Sequence, residues 1–222
     1  MKYEIKHGPS FSSLFFDLDA GEQVRTEAGS MVGMSGNLGI ETKAYGGFFK
    51  SILRKLFGGE SIYQNTYTSG GGAGQLILSP SLPGEIRHYR LGGGNTMILQ
   101  GTSFLASSPS ISMQTKYGGM KSMLSGEGLF LLEMKGEGDL WFNSYGNIVE
   151  VDVDGEYVVD TGHIVAFEPT LTFKVSKVGG LKATLLSGEG FVARFKGKGK
   201  LYIQSRTVSS LLGWITPLLP KH

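Results

Sequence analysis

Repeated glutamates are the first residues of this sequence whose type and spacing could do chemistry. Glu60, Glu127 and Glu189 occupy equivalent places in three similar segments, and carboxylates around a common axis could bind a cation. The same pattern arises if each carboxylate only accepts backbone N–H groups at a tight glycine turn. We favour the turn, because structural repeats retain their turn chemistry whether or not they form a site. No metal site is therefore predicted.

The remaining candidates for catalysis form no recognisable pattern. The sequence has no cysteine, which excludes thiol catalysis, zinc–thiolate sites and disulfides. No Gly-x-Ser-x-Gly turn is present, and Ser125 and Ser187 have no histidine nearby in the sequence. The histidines are spaced too irregularly to place two metal ligands on one face: they are His7, His88, His163 and His222. We expect no catalytic residue, cofactor or metal, and hence a protein that is not an enzyme.

The most basic stretch is RFKGKGK, residues 194–200, which we interpret as a hairpin that turns at Gly197-Lys198-Gly199. Its cations are Arg194, Lys196, Lys198 and Lys200. They could contact phosphate groups, so binding of RNA or a small anion is one hypothesis. The matching segment of the preceding repeat, EMKGEGD, carries acidic residues, whereas a symmetric RNA track should not alternate in sign. We therefore disfavour nucleic acid against a contact between subunits or a solvated hairpin.

The segment YGGFFKSILRKLFGG, residues 45–59, predicts one short amphipathic helix. At 3.6 residues per turn, its apolar side chains share one half of the helix and its cations the other. The apolar residues are Phe48, Phe49, Ile52, Leu53, Leu56 and Phe57. They could contact the body of the protein, another subunit or an acidic membrane, and we rank these in that order because a few cations attract a membrane only weakly.

The segments that carry these residues belong to a repeat of about sixty residues. Self-similarity of this kind indicates that each repeat is one structural unit. YGGMKSMLSGEGLFLLEMKGEGDLWF (117–142) matches VGGLKATLLSGEGFVARFKGKGKLYI (178–203), and the pattern recurs within residues 45–78. The predicted strands are short, and the 35 glycines with only 7 prolines indicate many tight turns, among them Asp154-Gly155, Gly136-Glu137-Gly138 and Gly197-Lys198-Gly199. We expect an all-β fold, a β-sandwich built from three tandem pseudo-symmetric repeats in a single domain over 1–222. The approximate repeats are 11–84, 85–150 and 151–206, followed by an apolar tail over 207–222.

The two ends of the chain bear on where the protein acts. The start, MKYEIKHGPS, lacks the apolar core of a signal peptide, and no apolar run is long enough to span a bilayer, so we expect a cytoplasmic protein. The formal net charge of +2 is too small to indicate nucleic acid by itself. The tail SSLLGWITPLLPKH, around Trp214, is either a strap against the body or a neighbour, or an interfacial anchor; the strap is the commoner use.

Six motifs together resemble a domain-of-unknown-function family related to the mitochondrial-biogenesis protein of the altered-inheritance-of-mitochondria series. They are EAGSMV, GGESIYQNT, PGEIRHYRL, QGTSFLAS, LSGEGLFL and DTGHIVAFE. The resemblance implies a repeat β-sandwich similar to the subunit of the tryptophan RNA-binding attenuation protein, a tendency to form homo-oligomers, and no known enzymatic activity.

We therefore predict a non-enzymatic, self-associating scaffold or binding protein, with a trimer favoured and peripheral membrane contact left open. The alternative is an RNA or small-anion binding module that uses the basic hairpin 194–200.

Overall fold

Short antiparallel strands make up most of the chain. The computed structural model describes residues 1–44, 63–117, 130–177 and 191–220. Buried and more exposed positions alternate along β2 (Ser13–Leu18), and this period of two places one face of the strand on a core. The prediction of an all-β fold is confirmed.

The strands up to residue 91 are β1 (Lys2–Lys6), β2 (Ser13–Leu18), β3 (Gln23–Glu27), β4 (Met31–Met34), β5 (Leu38–Ala44), β6 (Tyr63–Ser69), β7 (Gly74–Leu78) and β8 (Ile86–Leu91). Those that follow are β9 (Thr96–Gln100), β10 (Phe104–Ser107), β11 (Ser112–Tyr117), β12 (Phe130–Lys135), β13 (Gly138–Asn143), β14 (Ile148–Asp160), β15 (Ile164–Phe167), β16 (Thr172–Lys177) and β17 (Phe191–Gln204). They form sheets with the orders β1-β2-β7-β4, β5-β6-β3-β10-β13-β8 and β11-β12-β9-β15-β17-β14, and β16 also pairs with β17.

The same strand pairings recur in the predicted repeats, which we call units 1, 2 and 3 in chain order. β4 pairs with β7, β10 with β13, and β15 with β17, each with a register shift after its first residue pair. β3 pairs with β6, β9 with β12, and residues 155–160 of β14 with the start of β17. This recurrence makes β4, β10 and β15 equivalent strands, and likewise β3, β9 and residues 155–160 of β14.

Apolar side chains form three clusters, one for each unit. The unit 1 core includes Phe16, Val24, Leu76, Leu105 and Trp141. The unit 2 core includes Met97, Leu99, Phe142, Val165 and Tyr202. The unit 3 core includes Val159, Phe167, Leu171, Phe195 and Leu201. The first two clusters thus draw side chains from the unit that follows in the chain.

Two turns predicted from Asp-Gly and Gly-x-Gly are wrong. β14 continues through Asp154-Gly155 and β17 through Gly197-Lys198-Gly199, with Gly155 paired to Gly197. Both glycines have positive φ, at 108° and 130°, a conformation that glycine adopts at little steric cost, and the ladder continues through them without a register shift. The equivalent Gly136 does separate β12 from β13. The basic hairpin predicted over 194–200 is therefore the middle of one long strand.

The C-terminal tail forms a short helix, α1 (Val208–Ile215), followed by a 3₁₀ turn over Thr216–Leu218. Thr207 caps it, since its Oγ1 accepts a hydrogen bond of 3.1 Å from the backbone N–H of Ser210. The amphipathic helix predicted at residues 48–57 lies outside the described residues.

Candidate functional site

The basic residues of β17 lie against an acidic stretch of β14. Arg194 and Lys196 bind Glu156, the latter at 2.9 Å, and Lys198 lies 3.1 Å from a carboxylate oxygen of Asp154. Because β14 and β17 are antiparallel neighbours over their whole length, these charges face each other across one ladder. The cations that could have contacted phosphate groups are thus neutralised within the chain.

Lys200 is the most strongly paired of these cations. Its Nζ hydrogen-bonds Glu150 and lies 3.0 Å from Asp152. Hydrogen bonds to Glu150 and then to Asp152 raise the pKa of Lys200. Likewise, hydrogen bonds from Lys196 and Arg194 lower the pKa of Glu156. These pKa shifts come from ion pairs between β14 and β17, which we call the charge ladder, and they do not indicate a binding site.

The acidic run of unit 2 also has partners in its own chain. Asp139 on β13 lies 2.9 Å from Nε2 of His88 and 2.8 Å from Arg90, both on the neighbouring strand β8. Burial alone would raise the pKa of Asp139, but hydrogen bonds from His88 and Arg90 outweigh it and lower that pKa. The Asp139 carboxylate is therefore paired within its own chain rather than free to bind the basic run of another subunit.

A pocket of about 230 Å³, lined mostly by polar residues, lies where strand ends and turns from the three units meet. It is lined by Glu27 at the end of β3, Thr102 before β10, Asn143 at the end of β13 and Gln204 at the end of β17, with Val208 of α1 at its side. Strand ends and turns meet here because equivalent strands of successive units end on the same side.

Glu27 is the titratable group that distinguishes this pocket. Its equivalents Gln100 and Asp160 each accept a hydrogen bond of 2.7 Å from a backbone N–H in the turn that follows. No such bond reaches the Glu27 carboxyl from the described residues, and burial raises its pKa to about 7. Across the pocket, the buried Oδ1 of Asn143 has no hydrogen-bond partner within the same ranges. A protonated Glu27 could donate to a small polar ligand, and Asn143 could accept from one.

A second pocket of about 270 Å³ lies beside α1. His163, Arg206 and Trp214 contribute to its lining, and Nδ1 of His163 donates to the Gln204 carbonyl at 2.5 Å. Trp214 is 67% exposed and Leu212 is 53% exposed. Leu211 and Ile215 are half-buried, so the body of the chain covers only part of the tail, and a strap that covers the rest against a neighbour stays a prediction.

Apolar side chains are also exposed along two strand edges. On β4, Met31, Val32 and Met34 are exposed, whereas every residue of the equivalent strands β10 and β15 is buried. On β14, Tyr157 and Val158 are exposed next to the buried Val159. We call these the β4 edge and the β14 edge.

Several predicted residues fall outside the described ranges and stay predictions. They are Phe48, Phe49, Ile52, Leu53, Leu56 and Phe57 of the amphipathic segment, and Glu60, Glu127 and Glu189. Among the residues that the structure does describe, no group of three or more His, Asp or Glu side chains could hold a metal ion. Over the same ranges, no helix combines the length and apolar character needed to cross a membrane.

The sequence interpretation missed Glu27 and Val32 as residues of interest. A signal was present, because EAGSMV aligns with QGTSFLAS and DTGHIVAFE, and the alignment sets Glu27 beside Gln100 and Asp160. The alignment could not show that the Glu27 carboxyl would lack a hydrogen-bond partner among the described residues.

The fold and these surfaces define an all-β protein of recurring strand pairings with uncovered apolar edges. The chain belongs to the family described as Mitochondrial biogenesis AIM24, which matches residues 3–206, and the predicted family is confirmed. It is 31% identical over 235 residues to an uncharacterised protein of Streptococcus pyogenes serotype M6, covering 99% of this chain and 92% of the relative. A crystal structure of a protein from Streptococcus pyogenes is similar at a TM-score of 0.81 and 30% identity, over 98% of this chain and 99% of that one. The likeness to the tryptophan RNA-binding attenuation protein stays a prediction.

Proposed function

We propose that this protein is a non-enzymatic scaffold or binding protein that acts in the cytoplasm by associating with further copies of itself. The observation that carries the proposal is the apolar, exposed character of the β4 and β14 edges. An unpaired strand edge is a template for another chain unless charge, proline or a covering element protects it. Met31, Val32 and Met34 supply no such protection.

Covering the apolar side chains at these edges favours assembly. A large apolar side chain contributes about 1.5 kcal/mol or more when it passes from full exposure to full burial, and roughly half of that when the single chain already covers half of it. Five such side chains are exposed on the two edges: Met31, Val32, Met34, Tyr157 and Val158. Because association also costs several kcal/mol in lost freedom, the assembly should depend on protein concentration. A closed trimer is the assembly we expect.

A second candidate function is peripheral contact with a membrane through the tail. The exposed tryptophan and leucines of residues 208–219 favour it, since indole rings are enriched at the membrane–water interface. Co-flotation of the protein with vesicles of zwitterionic or partly anionic lipid tests this candidate. Binding that Trp214→Ala abolishes supports it, and no flotation with either lipid rejects it.

RNA binding through residues 194–200 loses its support, because the cations there have carboxylate partners on β14. To bind here, RNA would have to displace these carboxylates from the cations. Its phosphates would also lie next to the negative charges of Glu150, Asp152 and Glu156.

The test of self-association is the mass of the native protein in solution. Light scattering coupled to size exclusion, over a dilution series from high to low micromolar concentration, should give a multiple of the chain mass that falls on dilution. A mass equal to one chain at every concentration would overturn the proposal.

A further inference from the structure

Two internal junctions show how one unit of this protein attaches to the next. β10 of unit 2 pairs antiparallel with β3 of unit 1, where Ala106 lies opposite Thr26 and Ser107 opposite Arg25. β15 of unit 3 pairs with β9 of unit 2 in the same register, where Ala166 lies opposite Leu99 and Phe167 opposite Ile98. The chain therefore uses a single type of junction twice.

Two further strand edges are equivalent to the two sides of this junction, one on β4 and one on β14. β4 is the equivalent of β10 and β15, and it pairs with β7 alone. Residues 155–160 of β14 are the equivalent of β3 and β9, and they pair with β17 alone. Within the described residues, no strand takes the second edge of either element. The two unfilled edges are the complementary halves of the junction that the chain already makes.

Burial at equivalent positions shows what the β4 edge lacks. Leu105 of β10 is fully buried in the unit 1 core, and Val165 of β15 is fully buried in the unit 2 core. Val32 is their equivalent on β4, and it is 63% exposed. Each of the first two side chains enters the core of the unit before it, whereas Val32 enters no core formed by the described residues.

The β14 edge shows the matching deficit. Val24 of β3 and Met97 of β9 are fully buried, whereas their equivalent Tyr157 is 39% exposed. The unit 3 core beneath it is also incompletely closed, since Phe173 and Val175 pack against it while still partly exposed. The unit 1 and unit 2 cores are closed by side chains of the unit that follows, and no equivalent strand among the described residues covers the unit 3 core in this way.

Other strands at sheet edges, judged on the residues that the structure describes, carry charged side chains. β8, β5 and β16 lie at or near sheet edges, and each carries cations that discourage pairing with another chain: Arg87, Arg90, Lys43, Lys174 and Lys177. The sequence of β4, MVGM, carries no charge. This strand has the side chains of a junction rather than those of a terminal edge.

We propose that the β4 edge of one copy pairs antiparallel with the β14 edge of the next, with Gly33 opposite Val159 and Met34 opposite Val158. Val32 then enters the unit 3 core of the neighbouring copy, as Leu105 and Val165 enter the cores before them. The contact extends the sheet across the two chains as the internal junctions do. This inference rests on the proposed self-association and specifies its geometry.

The contact is heterologous, because the two edges that meet are different surfaces of the same chain. Such contacts close into a ring if the rotation between copies allows it and otherwise continue as a filament. Both products contain the same junction, so the test is directed at the junction rather than at the number of copies.

Cysteine cross-linking tests this register. The chain has no cysteine of its own, so every disulfide formed involves the introduced residues. Directly opposed residues of antiparallel strands have Cα atoms about 4.5–5.5 Å apart, a separation that a disulfide can bridge. Met34→Cys and Val158→Cys should each fold, since both side chains are exposed. Carried on chains with tags of different length and mixed under mild oxidation, they should give a covalent dimer of one long and one short chain.

The matched control replaces Val158→Cys by Val149→Cys, which places a thiol of similar exposure on the first half of the same strand. This mixture should give no mixed dimer, and neither should either variant alone. Val32→Asp should weaken association roughly tenfold or more at unchanged thermal stability, whereas Ile40→Asp, on an edge outside the junction, should not.

The outcomes separate the two proposals. If the unmodified chain is oligomeric but Met34→Cys and Val158→Cys do not cross-link above the control, this junction is overturned while self-association stands. If the unmodified chain is monomeric at all concentrations, both are overturned.

Discussion

Replacing Glu27 by glutamine is the substitution that reports most directly on the polar pocket. Burial raises the pKa of this carboxyl to about 7, so at pH 8 the folded protein holds a carboxylate where the neutral acid is favoured. Glutamine keeps the shape of the side chain and removes the charge. Gln100 already occupies the equivalent position of unit 2, so Glu27→Gln makes unit 1 more like its neighbour.

The magnitude follows from the difference between the folded and unfolded pKa values. A rise from 4.5 to about 7 is roughly 2.5 units, and at about 1.36 kcal/mol per unit this is about 3.4 kcal/mol before solvent screening reduces it, so about 3 kcal/mol is expected. The raised pKa means that the folded state binds more protons than the unfolded state between pH 4.5 and pH 7. The free energy of unfolding should therefore fall as the pH rises through that window. Glu27→Gln should remove this loss.

Thermal unfolding of the parent and variant at pH 4.5 and pH 8 measures the effect. At pH 8 the variant should melt up to about 6–12 °C higher, and at pH 4.5 the difference should be small. Glu137→Gln, at an exposed position, should show no such dependence on pH. An equal gain at both pH values would mean that charge is not the cause. A loss of stability at pH 8 would mean that the carboxylate is stabilised, and the reasoning would be refuted.

Three further predictions concern the rest of the structure. Trp214→Phe should leave the blue-shifted fluorescence of the buried Trp141, whereas Trp141→Phe should leave the red-shifted emission of an exposed indole; similar spectra would contradict the placement of α1. Lys200→Met should lower the urea midpoint more than Lys198→Met, because Lys200 contacts two carboxylates and Lys198 only one, and high salt should reduce the difference. Gly155→Ala should lower the free energy of unfolding by about 1 kcal/mol or more in denaturant titrations because of its positive φ, and a neutral result would argue against a continuous β14.

The sequence predicts the strands of this fold better than it predicts which strands are continuous. Gly136-Glu137-Gly138 and Gly197-Lys198-Gly199 have the same spacing, yet the first separates two strands and the second lies inside one. The difference comes from β14, which runs without a break opposite the second segment and holds it by backbone pairing. That pairing joins residues more than forty positions apart along much of its length, and a local pattern does not contain it.

The charge ladder was readable in principle from the sequence. Glu150, Asp152, Asp154 and Glu156 alternate along EVDVDGE with the same period of two as the cations of RFKGKGK. An acidic and a basic strand of matching period indicate neighbours in one sheet. The pKa of Glu27 was not readable, because its burial depends on Thr102, Asn143 and Gln204, which are brought there by the other units.

One position shared by the three units connects these observations with the proposed junction. Arg25, Ile98 and Val158 are equivalent, and the first two are covered by the unit that follows them. Arg25 donates hydrogen bonds to the carbonyls of Ile111 and Pro109, at 2.9 Å and 3.2 Å, and Ile98 is buried within the unit 3 core. Val158 has the apolar chemistry of Ile98 but is exposed in the single chain. An edge that only met water would gain nothing from valine there, whereas an edge that meets Met34 of another copy would gain the same burial as the internal junctions.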